Sequence, residues 1–234
     1  MDLKDYWLNN TGKKITKWTH YFPVYEKHFK PLTDRPIKIL EIGILNGGSL
    51  QMWKKYFHAD STLVGIDIDS RCKQHEESGI NVRIGDQSNP KFLQELLDEF
   101  GEFDLVIDDG SHHVSHVKKT FDFLYPKIAE NGLYFIEDTH AAYWSSHGGS
   151  LSHVDSINNV SKELIDKLNA DHTKGQIESD FFTKNTRCMT FYDSIIVFER
   201  GDVGEKIPME FGSSTTSNFN SSSPTEKSFT IRTH

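Results

Sequence analysis

The stretch from Phe103 to Trp144 (FDLVIDDGSHHVSHVKKTFDFLYPKIAENGLYFIEDTHAAYW) constrains this chain more than any other. Two short apolar runs, Leu105-Val106-Ile107 and Leu133-Tyr134-Phe135-Ile136, each end in a pair of acids, Asp108-Asp109 and Glu137-Asp138. A segment of helical period separates them, so the runs read as strands lying side by side in a parallel α/β sheet. The carboxyl ends of such strands open on one crevice, where ligands bind. The acids therefore converge there, with His112 one short turn past the first pair. Four carboxylates and an imidazole at one sheet edge point to a divalent cation beside a base.

The rest of the chain repeats the same unit. Ile37–Ile42, Thr62–Ile66, Ile80–Ile84, Asp104–Asp108 and Leu133–Glu137 read as five strands, most of them followed by a segment of helical spacing. Five such repeats with right-handed crossovers describe a doubly wound, mostly parallel α/β sheet with helices on both faces, a Rossmann-like arrangement. Residues 1–36 precede the first strand as an arm, in which Trp18–Phe29 is aromatic-rich and a short helix begins near Pro23. This arm either packs its aromatics on the sheet or forms a lid whose Thr19, His20, Tyr21 and Tyr25 face a ligand. After the fifth strand, residues 141–152 read as a flap, Val154–Leu168 as an amphipathic helix, and Ile177–Phe182 and Met189–Phe198 as β-rich. The second of these is either a hairpin or one kinked strand. The sheet domain spans residues 37–211, and residues 212–234 form a Ser/Thr-rich tail whose composition buries little apolar surface.

The first strand runs into Gly43-Ile44-Leu45-Asn46-Gly47-Gly48-Ser49, which does not have the GxGxxG spacing of a dinucleotide site and disfavours a nicotinamide dehydrogenase. An acid, Glu41, ahead of spaced glycines fits the looser pattern of methyltransferases that use S-adenosylmethionine, a donor without a pyrophosphate. Gly43, Asn46 and Ser49 belong to the turn that the donor would approach. Asp67, at the tip of the second strand, is placed for two ribose hydroxyls, since a carboxylate accepts two hydrogen bonds. Asp86 is placed for the adenine amine, and Gln87 for the base or the methionine portion.

Strand side chains alternate, so Asp108 and Asp109 cannot both face one way. Asp109 lies past the strand and reads as a cation ligand; Asp108 either serves the donor or holds the turn. With Glu137 and Asp138 the set offers oxygen ligands only, which points to Mg²⁺ or another hard cation. His112 is the candidate general base for an acceptor hydroxyl whose pKa the cation lowers. His113 and His116 read as helix-surface residues, and His140, Tyr143 and Trp144 as the wall of an acceptor pocket.

With 26 basic against 34 acidic residues and a net charge of −8, the chain shows no basic stripe, which disfavours nucleic acid as a partner. The cluster Lys13-Lys14 with Lys17 reads as a solvated face. The first residues, MDLKDYWLNN, lack the apolar run of a signal peptide, no 18-residue apolar stretch occurs, and Cys72 and Cys188 lack CxxC spacing, so a cytoplasmic protein with free thiols and no membrane partner is expected.

The motifs IDDGSHH and IEDTH, together with ILEIGILNGGSLQMWKKYF and GDQSNP, resemble the macrocin/mycinamicin-type sugar O-methyltransferases, related to proteins named cephalosporin hydroxylases. The likeness covers about Lys17 to Arg200. It implies a class I methyltransferase fold, S-adenosylmethionine as donor, and Mg²⁺ held by Asp109, Glu137 and Asp138, with His112 as base. It further implies a hydroxylated small-molecule acceptor, a deoxysugar, cofactor contacts from Thr19 and Tyr25 in KWTHYFPVYE, and assembly as a homo-oligomer, a dimer or tetramer. Two other readings fit parts of the sequence. One is a non-haem iron hydroxylase using His153, Asp155 and His172; the other is a non-catalytic cofactor-binding subunit.

Overall fold

A computed structural model describes residues 1–212. Residues 1–204 form one compact unit. Its centre is a seven-stranded sheet in the order β3-β2-β1-β4-β5-β7-β6. The strands are β1 Lys38–Ile42, β2 Thr62–Asp67, β3 Ile80–Ile84, β4 Leu105–Asp108, β5 Leu133–Ile136, β6 Thr186–Tyr192 and β7 Ile195–Arg200. The first five are parallel, while β7 runs antiparallel between β5 and β6. The chain order reverses between β1 and β4, so the crevice outside their carboxyl ends is the switch point at which ligands bind.

Period-two alternation divides the core. Ile39, Leu105, Ile107, Phe135 and Val197 point to one face, under α2 (Phe22–Phe29) and α3 (Gly48–Tyr56). Leu40, Ile42, Val106, Tyr134, Ile136 and Phe198 point to the other, under α4 (Pro90–Phe100) and α5 (Val114–Leu124). The short helix α1 (Leu3–Leu8) buries Leu3 against the first of these faces. The arm is thus built into the core, with Tyr21, Phe22, Tyr25 and Phe29 all buried and Tyr25 against both Trp53 and Phe135.

Local chemistry explains where the elements depart from the sequence expectations. Ser70–His75 is a 3-10 helix capped by Asp69, which accepts from the Arg71 amide. The amphipathic helix α6 covers Ile157–Leu168, starting later than Val154 because the Ser156 hydroxyl caps it. Ile177–Phe182, expected as β-rich, is not a strand: Asp180 and Thr183 form a reciprocal capping box that starts the helix α7 (Phe181–Asn185). Met189–Phe198 lies in a tight hairpin whose turn is Asp193-Ser194, with Ser194 at φ 63°. Of the tail expected over 212–234, all but Gly212 lies outside the described residues. Among the described residues, no helix is long and apolar enough to cross a membrane.

Candidate active site

The chain leaves β1 through Gly43, at φ 84°, where a Cβ would stand 2.2 Å from the Asp109 carbonyl oxygen. Only glycine lets the two strand ends approach this closely. The following turn is held by Asp67, whose Oδ2 accepts from the amides of Ile44 (3.1 Å) and Leu45 (3.0 Å). Beside it, Asp86 accepts from the Ser88 amide, which holds its carboxyl below the usual range. Gln87 ties the ends of β3 and β4 together. Its Nε2 donates to Asp108 (3.0 Å) and its Oε1 accepts from the Ser111 amide (2.8 Å). A cavity of about 440 Å³ opens over these turns, lined by Gly43, Asn46, Ser49, Asp67, Asp86 and Gln87, and also by His116.

Four residues expected at the cofactor stand outside that lining. Glu41 shares its sheet face with Ile39 and is buried under α3, accepting from Ser49 Oγ (3.0 Å) and Trp53 Nε1 (3.2 Å). Burial pushes its carboxyl up to about 7. Asp108 is buried on the opposite face, bonded to Gln87 and Tyr134, and burial pushes it up to about 7. Tyr25 is fully buried, with its hydroxyl committed to Glu137 Oε1 at 2.8 Å. Thr19 lies in a 3-10 turn and is exposed. Strand alternation removes the first two from the crevice, and the arm's docking removes the others.

The loops after β4 and β5 carry the acid cluster. His112 and Asp138 both adopt left-handed backbone, at φ 54° and 51°. Such conformations cost free energy in non-glycine residues and gather at functional sites. They bring His112 Nε2 to 3.8 Å from Asp109 Oδ1 and 3.7 Å from Asp138 Oδ2. Burial lowers the His112 pKa, although the two carboxylates oppose it. Among the described residues, Asp109, His112 and Asp138 are the one set of three potential ligands within 4.8 Å of one another. His153, Asp155 and His172 form no such set. Tyr21 donates its hydroxyl to Asp138 Oδ1.

Glu137 does not join that set. Tyr25 donates to its Oε1, and Lys17 Nζ lies 2.7 Å from its Oε2 and 2.6 Å from Asp109 Oδ2. The Lys17 side chain is only 3% exposed, so the expected solvated face is incorrect at this position. Burial disfavours its charge, but Asp109 and Glu137 outweigh that and push its pKa well above the ordinary value. No local periodicity distinguishes Lys17 from its neighbours Lys13 and Lys14, so the sequence carried no signal for this role.

A second cavity, of about 410 Å³, lies on the far side of the cluster, with Trp18, Tyr21, His140, Trp144 and His147 in its walls. Trp18 and Trp144 are about half exposed, and both rings meet His140, at 5.8 and 4.8 Å between centroids. Tyr143, expected on this wall, instead faces a separate groove beside Phe191 and Ile165. Thr16, Lys17, Asp109, His112 and Asp138 line both cavities, forming the wall they share. One wall carrying an imidazole and carboxylates between two ligand-sized spaces is suited to group transfer between two bound molecules.

Residues 40–139 match a family model described as a methyltransferase domain. The chain is 42% identical over 173 residues to a demethylmacrocin O-methyltransferase of Streptomyces fradiae, covering 68% of this chain and 43% of that protein. It is 40% identical over 139 residues to a mycinamicin VI 2''-O-methyltransferase of Micromonospora griseorubida, covering 56% of this chain and 34% of that protein. Among solved structures, the MycE methyltransferase in complex with Mg, SAH and mycinamycin VI superposes with a TM-score of 0.80 at 30% identity, covering 92% of this chain and 57% of that one. The chain spans less than half the length of the curated relatives it matches. The chain is thus similar to macrocin- and mycinamicin-type sugar O-methyltransferases, and it is built on the class I methyltransferase fold.

Proposed function

We propose that this chain is an O-methyltransferase that uses S-adenosylmethionine and Mg²⁺ to methylate a hydroxyl of a sugar, free, nucleotide-linked or in a glycoside. The observation that carries this reading is the wall of Asp109, His112 and Asp138 between the two cavities. The donor set fits a hard cation, since the Asp109 and Asp138 oxygens face one gap. Asp109, Glu137 and Asp138 are its ligands in this proposal. When bound, the donor supplies an electrophilic methyl group and the cation lowers the pKa of the acceptor hydroxyl.

The chain's own residues supply orientation and the base. Asp67, Asp86 and the turn at Gly43 hold the donor in the first cavity, beside the Ser111 amide that Gln87 fixes. Trp18 and Trp144 offer aromatic faces to the C–H surface of a sugar ring in the second. His112 takes the hydroxyl proton at Nε2, and its lowered pKa favours the neutral ring that a base requires. The reading includes a cytoplasmic homo-oligomer, a dimer or tetramer, to be checked by size-exclusion chromatography with light scattering.

The test is transfer of labelled methyl from S-adenosylmethionine to a panel of deoxysugar glycosides and nucleotide sugars. Wild type should label at least one acceptor, and Asp109→Ala and His112→Ala should not, while retaining wild-type circular dichroism. Absence of S-adenosylhomocysteine binding by titration calorimetry, together with no labelled product, would refute the assignment.

A further inference from the structure

The ammonium of Lys17 already occupies the space between two of the carboxylates. Its Nζ stands 2.6 Å from Asp109 Oδ2 and 2.7 Å from Glu137 Oε2. The remaining Glu137 oxygen accepts from Tyr25. A magnesium ion sits about 2.0–2.1 Å from its oxygen ligands. An ion bridging those same two oxygens from the Lys17 side would overlap the ammonium, so the two cations exclude each other there. While Lys17 is in place, Asp109 Oδ1 and Asp138 Oδ2 are left facing the gap beside His112.

Lys17 belongs to a segment that covers the site. Residues 14–17 line the first cavity and residues 16–18 the second. The segment is seated upstream by a close contact, since a Cβ on Gly48 would stand 2.4 Å from the carbonyl oxygens of both Lys13 and Lys14. The backbone is thus anchored just before the lysine, and the long Lys17 side chain is the part able to leave.

We infer that Lys17 is an internal counter-cation, displaced from Asp109 and Glu137 when a divalent cation binds. Seating of the Lys17 side chain and cation binding therefore oppose each other. The role is that of a gate on the third ligand: Glu137 becomes available only as the ammonium withdraws. This inference rests on the cation site proposed above.

Two measurements test it, neither of which uses turnover. In the wild-type protein, amine-reactive labelling followed by mass spectrometry reads the exposure of Lys17. Lys17 should be protected without metal and should label several-fold faster with saturating Mn²⁺. In the second, Mn²⁺ affinity is read by electron paramagnetic resonance for wild type, Asp109→Asn and Lys17→Met. Removing a positive charge from contact with the ligand oxygens should tighten Mn²⁺ binding by about tenfold or more. Mn²⁺ bound to wild type with Lys17 still protected would leave the cation site standing and overturn the inference. Equal or weaker binding by folded Lys17→Met would overturn it as well. If neither wild type nor Lys17→Met binds Mn²⁺, the cation site itself fails and the inference with it.

Discussion

Glu41→Gln separates a structural acid from a ligand-binding one. Glu41 is wholly buried beneath α3, and its carboxyl is pushed up to about 7 from 4.5, chiefly by burial. The unfolded chain ionises this group near 4.5, whereas the folded protein resists ionisation until about 7. Its contribution to stability is therefore whole below pH 4.5 and is lost as pH rises through about 7. At about 1.4 kcal/mol per pH unit, the gap is worth about 3 kcal/mol, of which about 2.5 kcal/mol falls between pH 5 and 8.5. Glutamine keeps a carbonyl to accept from Ser49 or Trp53 and carries no titrating proton. Any fixed cost of the substitution is independent of pH. Urea unfolding at a series of pH values should show the variant gaining about 2–3 kcal/mol on wild type across that window. Asp108 titrates in the same range in both proteins and cancels in the difference. Parallel stability curves for the two proteins would refute the burial argument. S-adenosylhomocysteine affinity should change little, because Glu41 does not line the cavity; a large loss would restore it to the cofactor site.

The other predictions follow from the two cavities. His112→Gln should lower kcat by about a hundredfold or more while leaving S-adenosylhomocysteine affinity intact; a variant with near-normal kcat would remove His112 as base. The acid limb of the wild-type kcat/KM profile should lie below 6.5, because burial lowers the His112 pKa and the base stays neutral further into acid. A limb above that value would assign it to another group. Gly43→Ala meets a backbone oxygen at 2.2 Å in a left-handed conformation, and should cost about 2 kcal/mol or more in unfolding free energy. An unchanged urea midpoint would contradict that close approach. Trp18→Ala should raise the acceptor KM about tenfold with little change in kcat, whereas an unchanged KM would take the arm out of the acceptor site.

Much of the fold was legible because strand and helix periods are strong signals here. Buried strands such as Leu105–Ile107 and Leu133–Ile136 are continuous apolar runs, and α4 and α5 have clear apolar faces. The reversal of β7 was less legible, since hairpin and kinked strand differ only in the turn at Asp193-Ser194. At the site, position along a strand was readable but direction was only partly so. Alternation identified Asp109, past the strand, as the residue free to face the crevice, yet the same rule buried Glu41 and Asp108 on opposite faces of the sheet. Lys17 and Trp18 were not legible as site residues, because they arrive through the docking of an arm about 90 residues away in sequence from Asp109. That contact depends on tertiary packing of Tyr21, Phe22 and Tyr25, not on any local pattern.

The proposed methyl transfer at this site needs both the donor and a divalent cation. The most direct measurement is labelled methyl transfer from S-adenosylmethionine to a reactive sugar acceptor, run with EDTA and then with Mg²⁺ restored. Transfer should be lost with EDTA and recover with Mg²⁺, with neither seen in Asp109→Ala. Transfer undiminished by EDTA would contradict that requirement.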